Sequence, residues 1–387
     1  METTPLNDQT SNMEGNKERM KYVLKRDGTP EQVDFEKIHW RIKSLCALPT
    51  ILEFQKKERP EAFEMNKNLQ PLLNVSPSDI ALKTFGGLKN NISTPEIDIF
   101  SADIAQSLCT EHPEYSELAK RILVSNMQKN TQVTLEKIFP NVPKEEIKRQ
   151  FFRYSMEALY INKNKKGEQA PLVAPYMLAI ARKYADRIES MIDYSRDYTN
   201  HGYLGIKTLE KGYLFTCNSI DGFDENKILI ERSQVAEMRV ALAIIASPEP
   251  CQKWYELEDV LYVIAKNDDC IKLKYRTSNN SELLNKLRKS KNPHKEKYID
   301  VKVFKQRYWK YMLKNVNSDL SEEELSDIQD TYDKASTGLY TAATPTRFNY
   351  GSLKPQGSSC FLIAMEDDSI DGIYNTLKKF YIIIPKA

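Results

Sequence analysis

Apolar side chains recur at helical spacing in one stretch of this sequence after another, and that period limits the fold more than any other feature. Phe35, Ile38, Ile42 and Leu45 fall at i, i+3, i+7 and i+10. Tyr115, Leu118, Ala119, Ile122 and Asn126 line one face of a second segment, and Met177, Ile180, Ala181, Tyr184, Ile188 and Met191 make a third stripe. A strand cannot bury such a pattern, because its side chains alternate with period two. The chain is therefore expected to be predominantly α with small β parts. Tyr22-Val23-Leu24-Lys25-Arg26 and Glu31-Gln32-Val33-Asp34-Phe35 flank Asp27-Gly28-Thr29-Pro30, which reads as a β-hairpin. Ser76 or Ser78 opens a helix that Gly86-Gly87 ends, and Ser93-Thr94-Pro95-Glu96 and His112-Pro113-Glu114 open two more. Ser321 with Glu324 is a capping box, and Asp367-Asp368-Ser369-Ile370 starts a last helix. Residues 49–76 contain prolines and are expected to be irregular.

These signals divide the chain into a polar, disordered tail over 1–20, a hairpin with about four helices over 21–130, and a helical region over 131–340. The last of these is interrupted by a basic insertion at about 249–316. A fourth segment, 341–387, sets small hydroxyl residues beside an apolar strand. With 387 residues there is room for two or three domains, and 41% hydrophobic with 28% charged residues is ordinary for globular proteins. The net charge is only +2, which argues against a protein whose main partner is nucleic acid or an anionic membrane. One stretch runs against this. Lys286, Arg288, Lys289, Lys291, Lys295 and Lys297 precede Phe304, Arg307, Tyr308 and Trp309, and cations interleaved with aromatics suit single strands. A solvated insertion accounts for the same pattern, and the near-neutral whole favours it.

No apolar run approaches the ~20 residues of a membrane span, and the N-terminus lacks the apolar core of a secretory signal. Reduced thiols and a cytoplasmic location are expected. The six cysteines, at 46, 109, 217, 251, 270 and 360, form no CxxC, and there are four histidines, so no metal site is expected.

Two places carry chemistry. Lys25 and Arg26 end a strand and Lys37 lies in the first turn of the next helix. Three cations beside a helix N-terminus suit a triphosphate, and Asp98 suits a ribose hydroxyl. A plain basic turn would read the same way. Cys360, between Ser359 and Phe361, reads either as a buried strand cysteine or as one half of a dithiol that delivers two electrons on closing to a disulfide.

A resemblance separates these alternatives. Val23 to Gly28 with Val33 to Ile38 resembles the opening of an ATP-cone, the nucleotide-sensing domain at the front of ribonucleotide reductase large subunits. Thr94 to Asp98, His112 to Tyr115 and Val124-Ser125-Asn126 continue the similarity in order. Gly205 to Leu214 resembles that family's Phe-Gly-x-Lys-Thr-Leu stretch. Glu231-Arg232-Ser233-Gln234 and Met238-Arg239-Val240-Ala241 resemble its Glu-Arg-Pro-Gln and Met-Arg-Val-Ala motifs, with Ser233 where proline is usual. Thr344 through Leu377 is the most specific block, with Pro355-Gln356-Gly357-Ser358-Ser359-Cys360 followed by Asp367-Asp368-Ser369-Ile370.

The resemblance implies an ATP-cone over 21–130, a helical domain, and the first strands of an incomplete ten-stranded α/β barrel from 341. It implies reduction of ribonucleoside diphosphates to 2′-deoxyribonucleoside diphosphates for DNA synthesis, by a class I thiyl-radical oxidoreductase. Lys25, Arg26, Glu31, Lys37, Thr94 and Asp98 match the allosteric ATP/dATP site. Thr344 and Ser359 match substrate contacts, Cys360 matches a redox thiol, and Asp368, Ser369 and Ile370 match the start of a dNTP specificity site. The implied partners are a radical-generating small subunit, thioredoxin or glutaredoxin as reductant, and further copies in a homo-oligomer. Residues 378–387 depart from the family pattern, and the radical cysteine and second redox cysteine have no counterpart here. The chain is thus expected to be the front portion of a large subunit, through a split gene, an intron, a frameshift or truncation. It is expected to be inactive alone, completed by the remainder of that subunit, and poorly soluble beyond about residue 340. A non-catalytic ATP/dATP-sensing regulatory or interaction protein is the competing reading.

Overall fold

The computed structural model describes residues 21–164, 166–218, 227–246, 270–272, 298–300, 309–310, 313–314, 316–353, 355–357, 363–365 and 367–383. The helical period is realised. β1 (Tyr22–Leu24) and β2 (Pro30–Gln32) form the expected antiparallel hairpin. A third strand, β3 (Ile92–Ser93), runs parallel to β1, a pairing that two residues of sequence do not announce. Around this small sheet stand α1 (Phe35–Lys43), α2 (Pro49–Glu58), α3 (Pro60–Asn66), α4 (Pro77–Gly87), α5 (Thr94–Ser107) and α6 (Glu114–Ile138).

The irregular stretch expected over 49–76 is therefore corrected to two helices with a short connection. Pro49 and Pro60 each occupy the first turn of a helix, where the missing N–H costs nothing, so prolines that read as breakers act as starters. Ser76 caps α4 by accepting from the Asp79 amide, and Ser93 and Glu96 cap α5 reciprocally. The cone thus has six helices rather than about four. The last, α6, runs on past residue 130 without a break.

Beyond it lie α7 (Lys144–Arg149), α8 (Phe151–Ile161), α9 (Pro175–Lys183), α10 (Ala185–Met191), α11 (Tyr203–Gly212), α12 (Ser233–Ala246) and α13 (Glu322–Ser336). The stripe from Met177 to Met191 is shared between α9 and α10, which part at Tyr184 (φ −112°, ψ 29°). Both halves stay buried, so the period survives the break. Two apolar cores result. One belongs to the cone and takes in Tyr203, Ile206 and Leu209 of α11. The other gathers α8, α9 and α12 with Leu325, Ile328 and Tyr332 of α13.

Short two-stranded pairings, β4 (Thr216–Cys217) with β5 (Ile228–Leu229) and β6 (Cys270–Lys272) with β7 (Tyr298–Asp300), are the other strand pairs among the described residues, beside two isolated bridges. The basic cluster Lys286–Lys297 and the tail 1–20 lie outside the described residues.

The segment expected to supply barrel strands begins differently. α14 (Thr344–Asn349) is a helix, with Pro345 in its first turn, and extended pairing appears only afterwards as a bridge between Ser352 and Val173. α15 (Ile370–Ile383) starts where expected, with the Gly372 amide donating to Ser369 Oγ (2.9 Å). Tyr381–Ile383 belong to that helix.

Candidate functional site

The tight hairpin turn aims the end of β1 into the cone. The Gly28 amide donates to the Lys25 carbonyl (2.8 Å) with Gly28 at φ +88°, a backbone region natural to glycine. Asp27 accepts from the Thr29 amide and hydroxyl, which fixes the turn. β3 then delivers Thr94 beside the end of β1, and Asp34 caps α1 so that Lys37 lies one turn inside it.

These elements enclose a cavity of about 240 Å³ whose walls include Lys25, Arg26, Glu31, Lys37, Thr94 and Asp98. All six residues assigned to the effector site from the resemblance line this one space. Sequence reasoning missed two cations in the same wall, Arg41 and Lys129. A signal existed for each. Arg41 follows Lys37 by four residues and shares its helix face. Lys129 follows Asn126, where the expected stripe of α6 ends, by three residues and so continues that face.

The electrostatics suit a polyanion. Five cations face three carboxylates (Glu31, Asp34 and Asp98). Lys25 and Lys37 both pair with Glu31. Arg26 donates to Asp98 Oδ2 (2.9 Å), Asn126 Oδ1 (2.6 Å) and Asn130 Oδ1 (2.7 Å). Arg41 donates to Asp98 through Nε (3.1 Å) and Nη2 (3.2 Å). Burial pushes the Asp98 carboxyl up, but Arg41 and Arg26 outweigh it and hold the group below the usual carboxylate range. Burial in the cavity wall and repulsion from Arg41 push the Lys129 ammonium down, to about 7, against the pull of Asp98. The side chain as a whole is exposed, so water tempers the first of these causes. Each guanidinium is thus held by carboxylate or amide oxygens, acceptors of the kind that a phosphate also offers.

The other assigned residues are not in this cavity. Thr344 begins α14, and its hydroxyl meets the Tyr213 hydroxyl at 3.2 Å. Asp368, Ser369 and Ile370 sit exposed at the start of α15, where Ser369 caps the helix. Ser359 and Cys360 lie outside the described residues. Among the described residues no cluster of His, Cys, Asp or Glu is placed to hold a metal ion, and no helix is long and apolar enough to cross a membrane.

Comparison with known proteins converges on these regions. Residues 21–130 match the ATP cone domain. The chain is 30% identical over 379 residues to the ribonucleoside-diphosphate reductase large subunit of Dictyostelium discoideum, covering 97% of this chain and 30% of that protein. It is 30% identical over 368 residues to the same subunit of vaccinia virus, covering 95% of this chain and 32% of that protein. For the subunit of Caenorhabditis elegans the identity is 29% over 367 residues, covering 95% of this chain and 31% of that one. The chain spans about a third of the length of the curated relatives it matches.

Proposed function

We propose that this chain, a homologue of ribonucleoside-diphosphate reductase large subunits that carries an ATP-cone, is the effector-binding and substrate-facing portion of such a reductase. Its cone binds ATP or dATP in the cavity under the hairpin. Lys25, Arg26, Lys37, Arg41 and Lys129 take the phosphates, and Asp98 orients Arg26 and Arg41 or accepts from the ribose. The single observation that carries this reading is the convergence of all six assigned residues on one cation-rich cavity.

For the reductase reaction, a ribonucleoside diphosphate loses its 2′-hydroxyl as water while a dithiol supplies two electrons and becomes a disulfide. Cys360 is one thiol of that couple, and Thr344 and Ser359 contact the diphosphate. Asp368, Ser369 and Ile370 begin a dNTP site at the head of α15. A radical-generating small subunit supplies the radical, and thioredoxin or glutaredoxin restores the dithiol.

Calorimetric titration with ATP and with dATP tests the first part. One site per chain is expected, with binding weakened by Lys25→Ala, and unchanged binding in that variant overturns the site assignment. Assay of CDP reduction after adding the remainder of a large subunit and a small subunit tests the second part. Turnover in the mixture supports it, whereas nucleotide binding with no turnover in any mixture leaves a sensor and not an enzyme.

A further inference from the structure

Outside the cone, Arg239 on α12 is a fully enclosed charge. Its side chain is 0% exposed and so is that of Glu231, its partner. Nε donates to Glu231 Oε1 (2.6 Å) and Nη2 to Glu231 Oε2 (3.2 Å). The remaining donors leave the pair altogether. Nη2 reaches the Arg347 carbonyl (3.0 Å) and Nη1 the Tyr350 carbonyl. Both carbonyls belong to the end of α14, where the last C=O groups of a helix lack intrahelical partners and favour a cation.

The clamp is itself fixed. Glu231 Oε2 accepts from the Phe215 amide (2.9 Å), and the Phe215 ring lies 3.9 Å from the guanidinium carbon. Gly351 adopts φ +81°, and a Cβ there would come within 2.8 Å of Arg239 Cγ and 2.9 Å of Met177 Cε. The backbone therefore rests directly on the arginine stem. A second ion pair from the same helix, Glu237 with Arg347, holds the other side of the segment.

From α14 the contacts continue forward. Thr346 Oγ1 donates to the Gly357 carbonyl (3.3 Å) and Asn349 Nδ2 to the Gln356 carbonyl (2.9 Å). Gly357 also lies against the Tyr350 ring, with no room for a side chain.

We infer that Arg239 is a positioning residue for the substrate-facing segment: anchored by Glu231, it caps α14, the helix that Thr344 begins, and, through Thr346 and Asn349, sets the backbone at Gln356–Gly357. The inference rests on the reading of Thr344 and Ser359 as diphosphate contacts. Lysine cannot substitute, because a single ammonium cannot span a carboxylate fork and two carbonyls at once.

The test uses the full chain carrying Arg239→Lys, with hydrogen exchange read by mass spectrometry and equilibrium binding of CDP and ATP. Amides at 347–352 are expected to exchange at least tenfold faster, with α5 and α6 unchanged. CDP affinity is expected to fall at least fivefold while ATP affinity holds. Unchanged exchange at 347–352, or a loosened segment with unchanged CDP affinity, overturns the inference. So does a uniform rise in exchange across the body, which marks a merely structural role. Asn349→Ala cuts the same relay from a partly exposed position and decides by the same criteria if Arg239→Lys does not fold. If the wild-type chain binds no CDP, the diphosphate reading falls, and the exchange pattern alone decides whether the clamp exists.

Discussion

Two buried aspartates show how differently this molecule uses the same group. Asp98, in the cone, is 6% exposed and lies between Arg26 and Arg41, which hold it below the usual carboxylate range. Asp197, in the body, is 0% exposed and accepts from Gln128 Nε2 (3.0 Å), while its Oδ1 has no partner. Burial dominates there and pushes the Asp197 carboxyl up to about 6, against the Gln128 hydrogen bond and the Arg232 charge. Glu189 nearby is likewise pushed up by burial, to about 7, although it accepts from the Phe152 amide and the Tyr194 hydroxyl. The cone keeps its carboxylate charged so that two arginines wait in place for an anion. At Asp197 and Glu189 the body instead buries carboxylates that lean toward the neutral form and serve as hydrogen-bonding struts.

The largest expected effect comes from removing the cone's charge. Asp98→Asn leaves Arg26 and Arg41 facing each other without a counterion. The cost is about 3 kcal/mol, the low end for breaking a buried pair because both arginines are partly exposed. Thermal unfolding should show the loss, and triphosphate should restore more stability to the variant than it adds to the wild type. Asp197→Asn should cost far less near neutral pH. Equal losses in the two variants would break the comparison.

Arg26→Ala comes next. Charge-assisted hydrogen bonds are each worth about 1.5–3 kcal/mol, so ATP affinity should fall roughly ten- to a hundredfold in calorimetry. Asn126, which is buried, and Asn130 then lose their donor, which costs some stability, but Asp98 keeps Arg41 and the fold should persist. Undiminished affinity would mean that the arginine is a strut like those of the body.

The two regions should also respond oppositely to pH. Asp197 and Glu189 have folded pKa values raised above their unfolded ones, so the folded state holds the extra protons. Their contribution is complete below about pH 4 and is lost as pH rises through 6 to 7. Asp98 has a lowered folded pKa, so its contribution is present above about pH 4 and is lost only as pH falls below that. Glu189→Gln should therefore flatten the decline in melting temperature between pH 5 and 8, an effect on the order of 1–2 kcal/mol. A decline identical to the wild type would show that the body's carboxylates ionise freely.

Much of this was legible in the sequence, and the rest was hidden for definite reasons. The hairpin, the caps at Ser76, Ser93 and Ser321, and the buried faces of α1, α6, α9 and α10 follow from local spacing. The helices over Pro49–Asn66 did not, because proline marks both an interruption and a first turn, and only packing decides. β3 was out of reach, since its two residues pair with β1 across a long stretch of chain. Thr344–Asn349 was expected in barrel strands only through the resemblance, and the arginine clamp beneath it favours a helix end. In the cavity, the resemblance supplied six residues, whereas the helical spacing that puts Arg41 and Lys129 on the same faces was overlooked and the wall itself reveals them.

The smallest expected effect is the most specific to the cone. Burial in the cavity wall, with repulsion from Arg41 and Arg26, pushes Lys129 down to about 7, so in the empty cavity at pH 8 the neutral form is expected to predominate. A bound triphosphate brings negative charge beside it and raises its proton affinity, so binding takes up a proton at Nζ. The contribution of Lys129 to affinity is then complete below about pH 6 and declines as pH rises through about 7, by less than tenfold between pH 6.5 and 8. The nucleotide titrates in the same range and gains charge as pH rises, which opposes the trend. The informative quantity is therefore the difference between the wild type and Lys129→Met, which carries no proton. Their ATP affinities should converge toward pH 8 and separate toward pH 6, and wild-type binding near pH 7.5 should absorb protons when calorimetry is run in buffers of different ionisation heat. A constant gap across that range would mean that Lys129 stays charged throughout and that solvent, not the neighbouring arginines, governs it.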